Sequence, residues 1–335
     1  MSIFKKKKIG IDFGSCNTRV YVDGEGLVFN EPTVVLVDVN RGNVVAIGNA
    51  ARELLGKTPQ YLEIKKPIQN GVISSRKAVV AILKFLIDYV SGTFRMIKPD
   101  LYIAVPSGIT SVERRAMVQV CFDAGAGNVK IYPSVVLSAI GCGLPIYKSH
   151  GNVIVHTGGG TTESAVLSMN GIVVEDAIRV GGIAVNDSLT NLIRRQFALF
   201  VGESTVEELK KNICSCVPVD KPRSAEISGR DITTGLPRTI RVDTNDLVEA
   251  VKQPISSIIA SIKGVLEKTP PELSSDIADT GIALTGGNAN LWNIDVLLTK
   301  AIGVPFFVVE DPMFSVIKGL ECVIEENYVF EMVEK

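Results

Sequence analysis

The chain has 335 residues, 46% hydrophobic and 21% charged, with 35 basic against 36 acidic side chains and a formal net charge of -1. That length suggests about two domains, each able to bury a core. The balance argues against intrinsic disorder and against a nucleic-acid binder that works by bulk electrostatics.

In chain order, Ile3 and Phe4 precede lysines 5–8 with neither a long apolar run nor a small-residue cleavage site, so the start does not read as a secretory signal. Residues 8–13 and 19–22 are predicted strands joined by a turn at 14–17, and Asp23-Gly24 ends the second with a hairpin-type turn. Ser75 is predicted to cap a helix running to about Val90, because Val79, Leu83, Leu86 and Val90 fall on one face. A strand at 101–105 follows, and Thr110 with Glu113 forms a capping box for a helix ending near Gly125. The longest uncharged run, 131–147, is shorter than a bilayer span and broken by Pro133 and Pro145, so it reads as buried core. A short helix at 204–214 and a hairpin at 224–242, around Thr234-Gly235-Leu236-Pro237, suggest a small subdomain. Apolar strands alternating with amphipathic helices indicate an α/β fold. Six scattered cysteines without CxxC spacing suit a reducing cytoplasm, and only two histidines, His150 and His156, disfavour a zinc site or a histidine-based hydrolase.

One internal repeat organises the rest. The stretch Ile9-Gly10-Ile11-Asp12-Phe13-Gly14-Ser15-Cys16-Asn17-Thr18 matches Val153-Ile154-Val155-His156-Thr157-Gly158-Gly159-Gly160-Thr161-Thr162 in pattern. Asp12 and His156 lie 144 positions apart (156 − 12), which suggests two homologous halves. Each copy reads as a strand, a tight Gly/Ser/Thr turn and a returning strand, and two such turns can face each other across a cleft. Glycine lets backbone N–H groups converge on an anion, so the pair suits a polyphosphate. Neither a P-loop pattern nor a dinucleotide fingerprint is present. A third glycine turn, Gly286-Gly287-Asn288, follows an apolar strand, and either a platform for a flat base or a plain strand-to-helix connection accounts for it.

These strings resemble the actin, Hsp70 and sugar-kinase superfamily, and within it the chain closely resembles the MreB family of bacterial actins over almost its whole length. The family-like residues include Asn30-Glu31-Pro32, Ile109-Thr110-Ser111-Val112-Glu113-Arg114-Arg115, Gly158-Gly159-Gly160-Thr161-Thr162-Glu163, Thr234-Gly235-Leu236-Pro237-Arg238 and Leu266-Glu267-Lys268-Thr269-Pro270-Pro271-Glu272-Leu273. The resemblance implies an actin-like α/β fold of two related halves, each with a smaller inserted subdomain, around a central nucleotide cleft. The implied subdomains are IA (1–32, 68–143 and 315–335), IB (33–67), IIA (144–181 and 247–314) and IIB (182–246). It further implies ATP or ADP with Mg, filaments of the chain with itself or with paralogous bacterial actins, and a role in cell shape. By position, Gly14, Ser15, Cys16 and Asn17 would hold phosphate from one half, and Gly158, Gly159, Gly160 and Thr161 from the other. Glu207, Lys210 and Asn212 would lie near ribose and base, opposite Gly286, Gly287 and Asn288. Asp12 would hold the metal through water.

Three positions depart from the family pattern. His156 stands where an acidic residue helps hold the hydrated metal, Ser134 where a glutamate polarises the attacking water, and Asn70 where an aspartate precedes Gly71-Val72-Ile73. Asn212 also replaces an acidic residue near the sugar. Neutral imidazole is a poor neighbour for Mg²⁺, and serine has no carboxylate to orient water. With Thr161 retained, the pattern implies nucleotide binding with weak or absent hydrolysis. His156 leaves two roles open: a cation beside the phosphates, or a neutral residue satisfied by backbone hydrogen bonds. Met96 and Ile97, with Ile3 to Lys8, offer peripheral contact with the inner membrane face, and the alternative is a solvated tail and an ordinary loop. A small-molecule kinase or a chaperone-type ATPase of the same superfold are the competing functions, and no nucleic-acid partner is expected.

Overall fold

In the computed structural model, which describes residues 6–92 and 97–326, two five-stranded sheets share one topology. In the first, Lys8–Phe13, Asn17–Val22 and Gly26–Pro32 form an antiparallel meander. Asp100–Val105 then pairs parallel to Lys8–Phe13, and Asn128–Pro133 adds outside it. The second sheet repeats this plan. Asn152–Thr157, Thr162–Ser168 and Gly171–Ile178 form the meander, with Ile282–Thr285 parallel to Asn152–Thr157 and Phe306–Val308 outside. The repeat seen in the sequence is therefore topological, and Asp12 and His156 occupy matching places near the ends of matching strands.

The central strands are covered on both faces, which is why they are apolar runs rather than alternating ones. In Asn152–Thr157 every residue but His156 is buried. The predicted face of helix Arg76–Ser91, namely Val79, Leu83, Leu86 and Val90, packs into the core of the first sheet. Ser75 precedes this helix in extended conformation, but its side chain does not cap it. The Thr110 capping box forms as read: Glu113 N–H donates to Thr110 Oγ1 at 3.2 Å, and Thr110 N–H donates to Glu113 Oε2 at 2.8 Å. Ser224–Asp231 and Pro237–Asp243 form the predicted hairpin, extended at its edge by Leu199–Phe200. Val35–Asp38, Asn43–Ile47 and Leu62–Lys65 make a second small sheet.

Two helices join the halves. Ser134–Gly141, from the long uncharged run, packs Val135, Val136 and Ala139 against Ile154, Ala165, Leu167 and Ala283 of the second sheet. Ser315–Glu325 packs Ile317, Leu320 and Ile324 with Tyr21, Tyr102 and Ala104 of the first. Where the two helices cross, a Cβ at Gly141 would collide with the Ser315 carbonyl and one at Gly319 with the Leu137 carbonyl. This backbone contact fixes how the sheets, and the turns they carry, stand relative to each other. Among the described residues no helix is long and apolar enough to cross a membrane.

Candidate functional site

The two repeated turns close in the same way. Gly14 N–H donates to the Asn17 carbonyl at 3.1 Å, and Gly158 N–H donates to the Thr161 carbonyl at 2.8 Å. Their tips meet: a Cβ at Gly159 would strike Cys16, and one at Gly160 would crowd Ser15 Oγ and the Asn70 backbone. Only glycine allows two turns to come so close. The third turn needs glycine for a further reason, since Gly286 has φ 89° and a Cβ there would strike the Thr157 backbone. Gly287–Asn290 continues as a 3₁₀ turn.

Between the turns lies a cleft of about 480 Å³. Of the residues expected there, it is lined by Asp12, Gly14, Ser15, Cys16, Asn17, His156, Gly158, Gly159, Glu207, Lys210, Gly286, Gly287 and Asn288. Arg19, Gly182, Lys211, Asn290, Leu291 and Met313 complete the lining. Gly160 and Thr161 instead stand beside the cleft, where the turn tips pack on Asn70 and Gly71. Asn70 (φ 48°) and Gly71 (φ 77°) form a left-handed two-residue turn between Ile68–Gln69 and Val72–Ile73, and Gly71 N–H donates to Ser15 Oγ at 3.1 Å. Ser134 is buried at the start of its helix, outside the lining. Asn212 does not reach the cleft. On helix Glu203–Asn212, Glu207, Lys210 and Lys211 share one face at i, i+3 and i+4, whereas position i+5 turns away, and the exposed Asn212 offers its carbonyl to Arg223 at 3.1 Å.

Charge within the cleft is arranged in pairs. Burial pushes the Glu207 carboxyl up, but Lys210, Asn186 and Lys211 around it prevail and hold its pKa down at about 2. Lys210 Nζ lies 2.7 Å from that carboxylate and also donates to the Gly182 carbonyl at 3.2 Å. At the other end, Arg19 Nη1 donates to Asp12 Oδ2 at 3.1 Å, and its guanidinium stands 5.1 Å from the Phe314 ring centre. Burial raises the Asp12 pKa and Arg19 opposes the shift. His156 Nδ1 lies 2.9 Å from Ser138 Oγ and 3.1 Å from Thr285 Oγ1. Burial and then the Arg19 charge lower its pKa to about 4, so the imidazole is neutral at pH 7. In this structure the ring is satisfied by side-chain hydroxyls rather than backbone groups.

Sequence reasoning overlooked two residues here. Arg19 was legible from hairpin arithmetic, because a turn at 14–17 sets Phe13 opposite Thr18 and Asp12 opposite Arg19, as the register shows. Glu163, opposite His156 in the other hairpin, accepts from Ser107 N–H at 2.9 Å. Burial raises its pKa to about 7, against the pull of its hydrogen bonds. Two polar atoms in the cleft lining are buried without a partner, Arg19 Nε and Asn288 Oδ1. Among the described residues no three His, Cys, Asp or Glu side chains converge as a metal site.

Comparison with known proteins gives a consistent picture. A family model described as MreB/Mbl protein matches residues 6–332. The cell shape-determining protein Mbl of Bacillus cereus is 40% identical over 319 residues, covering 95% of this chain and 96% of its own. The cell shape-determining protein MreB of Escherichia coli strain K12 is 39% identical over 316 residues, covering 93% and 91%. Among solved structures, MreB5 of Spiroplasma citri bound to ADP superposes with a TM-score of 0.91 at 32% identity, covering 96% of this chain and 97% of that one.

Proposed function

The chain belongs to the MreB/Mbl family, and from that premise we propose that it is an ATP-binding bacterial actin of the cytoplasm. It polymerises with itself, or with paralogous bacterial actins, into cytoskeletal filaments that support cell shape, and it hydrolyses ATP weakly or not at all. The observation that carries the reading is the pair of repeated glycine turns facing each other across one cleft. ADP in the similar MreB5 structure supports the nucleotide. Gly14, Ser15, Cys16 and Asn17 hold phosphate from one half, and Gly158 and Gly159 from the other. Glu207 and Lys210 lie near the ribose and base, opposite Gly286, Gly287 and Asn288. The four-subdomain division, with inserts at 33–67 and 182–246, belongs to the same proposal.

Weak hydrolysis follows from the carboxylates available. Among the described residues, only Asp12 and Glu207 bring carboxylates to the cleft lining, and each is engaged by a cation. Ser134, His156 and Asn70 supply no carboxylate to orient water, and loss of a water-orienting base costs ~10²- to 10⁴-fold in rate. The Mg²⁺ that the resemblance implies does not fit this donor set. A hydrated divalent cation seeks anionic oxygens, but Asp12 faces a guanidinium and His156 is a neutral imidazole.

Peripheral membrane contact rests on a narrow base. Met96 and Ile3 to Lys5 lie outside the described residues. Ile97 is exposed, but Lys6 and Lys7 pair with Asp100 and Glu25, and Lys8 donates to the Ile324 carbonyl. Co-sedimentation with anionic vesicles tests this contact, and no binding by the unmodified chain ends it. Electron microscopy of the pure protein with and without ATP, together with phosphate release, tests the main reading. It expects filaments and a turnover at least ~100-fold below that of an ordinary family member. Persistent monomers would overturn the filament reading, and ordinary turnover the impaired-hydrolysis reading.

A further inference from the structure

Arg19 sits on the second strand of the first hairpin, in register with Asp12, and its side chain is only 9% exposed although it lines the cleft. An arginine in this setting carries a permanent charge and five N–H donors in a rigid fork. Asp12 takes one of them, and Nε is left buried with no acceptor. Phe314 covers one side of the guanidinium without accepting a conventional hydrogen bond. Burying a donor unpaired is costly, and because Nε is shut off from the cleft itself, pairing it requires the guanidinium to shift toward an acceptor that the cleft receives. Phosphate oxygens match a guanidinium in charge and in fork geometry.

The other cations of the cleft are already engaged. Lys210 and Lys211 both answer Glu207, at 2.7 Å and 3.1 Å. They stand on helix Glu203–Asn212, whereas Arg19 adjoins the turn 14–17 itself. A divalent cation beside Asp12 would have to share that carboxylate with a positive charge 3.1 Å from it. At such separations like-charge repulsion is substantial even with solvent screening. His156, on the matching strand of the other half, supplies an imidazole ring rather than an anionic ligand.

We propose that Arg19 supplies the positive charge that a divalent metal would otherwise bring to the nucleotide phosphates, so that this chain binds adenosine nucleotide without a metal ion. The inference rests on the nucleotide reading above and names the cation of that same site. On phosphate binding, Arg19 keeps its bond to Asp12 and shifts to present a further N–H of its fork to a phosphate oxygen.

Calorimetric titration of the purified chain with ATP, once in Mg²⁺ and once in EDTA, separates the two ideas. The expected result is an affinity that changes less than about threefold between the two conditions. Arg19→Met is expected to lose at least about tenfold in EDTA and to recover part of it with Mg²⁺. If that variant does not fold, Asp12→Asn combined with Arg19→Met removes both charges together and serves in its place. Unmodified chain that loses more than about tenfold in EDTA overturns the proposal, as does a folded Arg19 variant that keeps its metal-free affinity. No ATP binding in either condition overturns the nucleotide reading, and the proposal with it.

Discussion

The two hairpins that face each other across the cleft have matching backbones, and each sets two titratable residues opposite one another: Asp12 with Arg19 in one, His156 with Glu163 in the other. In the first hairpin the two side chains meet as an ion pair. In the second they take separate partners, His156 the Ser138 and Thr285 hydroxyls and Glu163 the Ser107 N–H. Burial then drives the second pair toward neutrality from both sides, lowering His156 to about 4 and raising Glu163 to about 7. Burial raises the Asp12 pKa as well, but there a guanidinium opposes it, so a repeated backbone fixes where a group stands while its neighbours decide what opposes the effect of burial. A carboxylate beside a guanidinium has its desolvation opposed, and groups among hydroxyls and amides have little such help.

The largest effect should come from breaking the charged pair. Arg19→Met leaves Asp12 buried without a partner, and denaturant unfolding should show a loss of about 3–5 kcal/mol. Adding Asp12→Asn should restore most of it. A loss under about 1 kcal/mol from the single variant would mean that Asp12 is hydrated and the contrast between hairpins is false.

The neutral pair makes a prediction with a sign. Glu163 has a folded-state pKa of about 7 against an ordinary 4.5, so its contribution is complete below pH 4.5 and is lost as pH rises to about 7. Glu163→Gln should therefore match the unmodified chain near pH 4.5 and exceed it at pH 8, by up to roughly 3 kcal/mol. His156, lowered from 6.5 to about 4, acts in the opposite sense: its contribution is complete above pH 6.5 and is lost as pH falls toward 4. Between 4.5 and 6.5 the two slopes nearly cancel, and Glu163→Gln should uncover the histidine's slope. The smallest effect is that of His156→Gln, about 1 kcal/mol at pH 8 for a hydrogen bond lost. That deficit should shrink on acidification, and a deficit that grows would mean the histidine is charged when folded.

Much of this was legible in the sequence for a physical reason. The repeat, the strand at 8–13, the Thr110 capping box and the hairpin at 224–242 are local patterns, and local patterns survive folding. What is not legible lies where distant segments meet. Gly160 and Thr161 belong to the glycine turn, yet they stand beside the cleft because the helices Ser134–Gly141 and Ser315–Glu325 bring the turn tips together. That contact depends on Gly141 and Gly319, far apart in sequence. Asn212 stands one step of helical phase away from the face that Glu207, Lys210 and Lys211 share. Arg19 was within reach, but reading 19–22 as a strand did not ask what each residue faces across the turn.

The most direct test of the account is diffraction from crystals grown with a non-hydrolysable ATP analogue and Mn²⁺, whose anomalous signal locates the metal. The account predicts the triphosphate between turns 14–17 and 158–161, Arg19 within hydrogen-bond distance of a phosphate oxygen, and no Mn²⁺ signal beside Asp12. A Mn²⁺ peak beside Asp12, with Arg19 turned away from the phosphates, would contradict it.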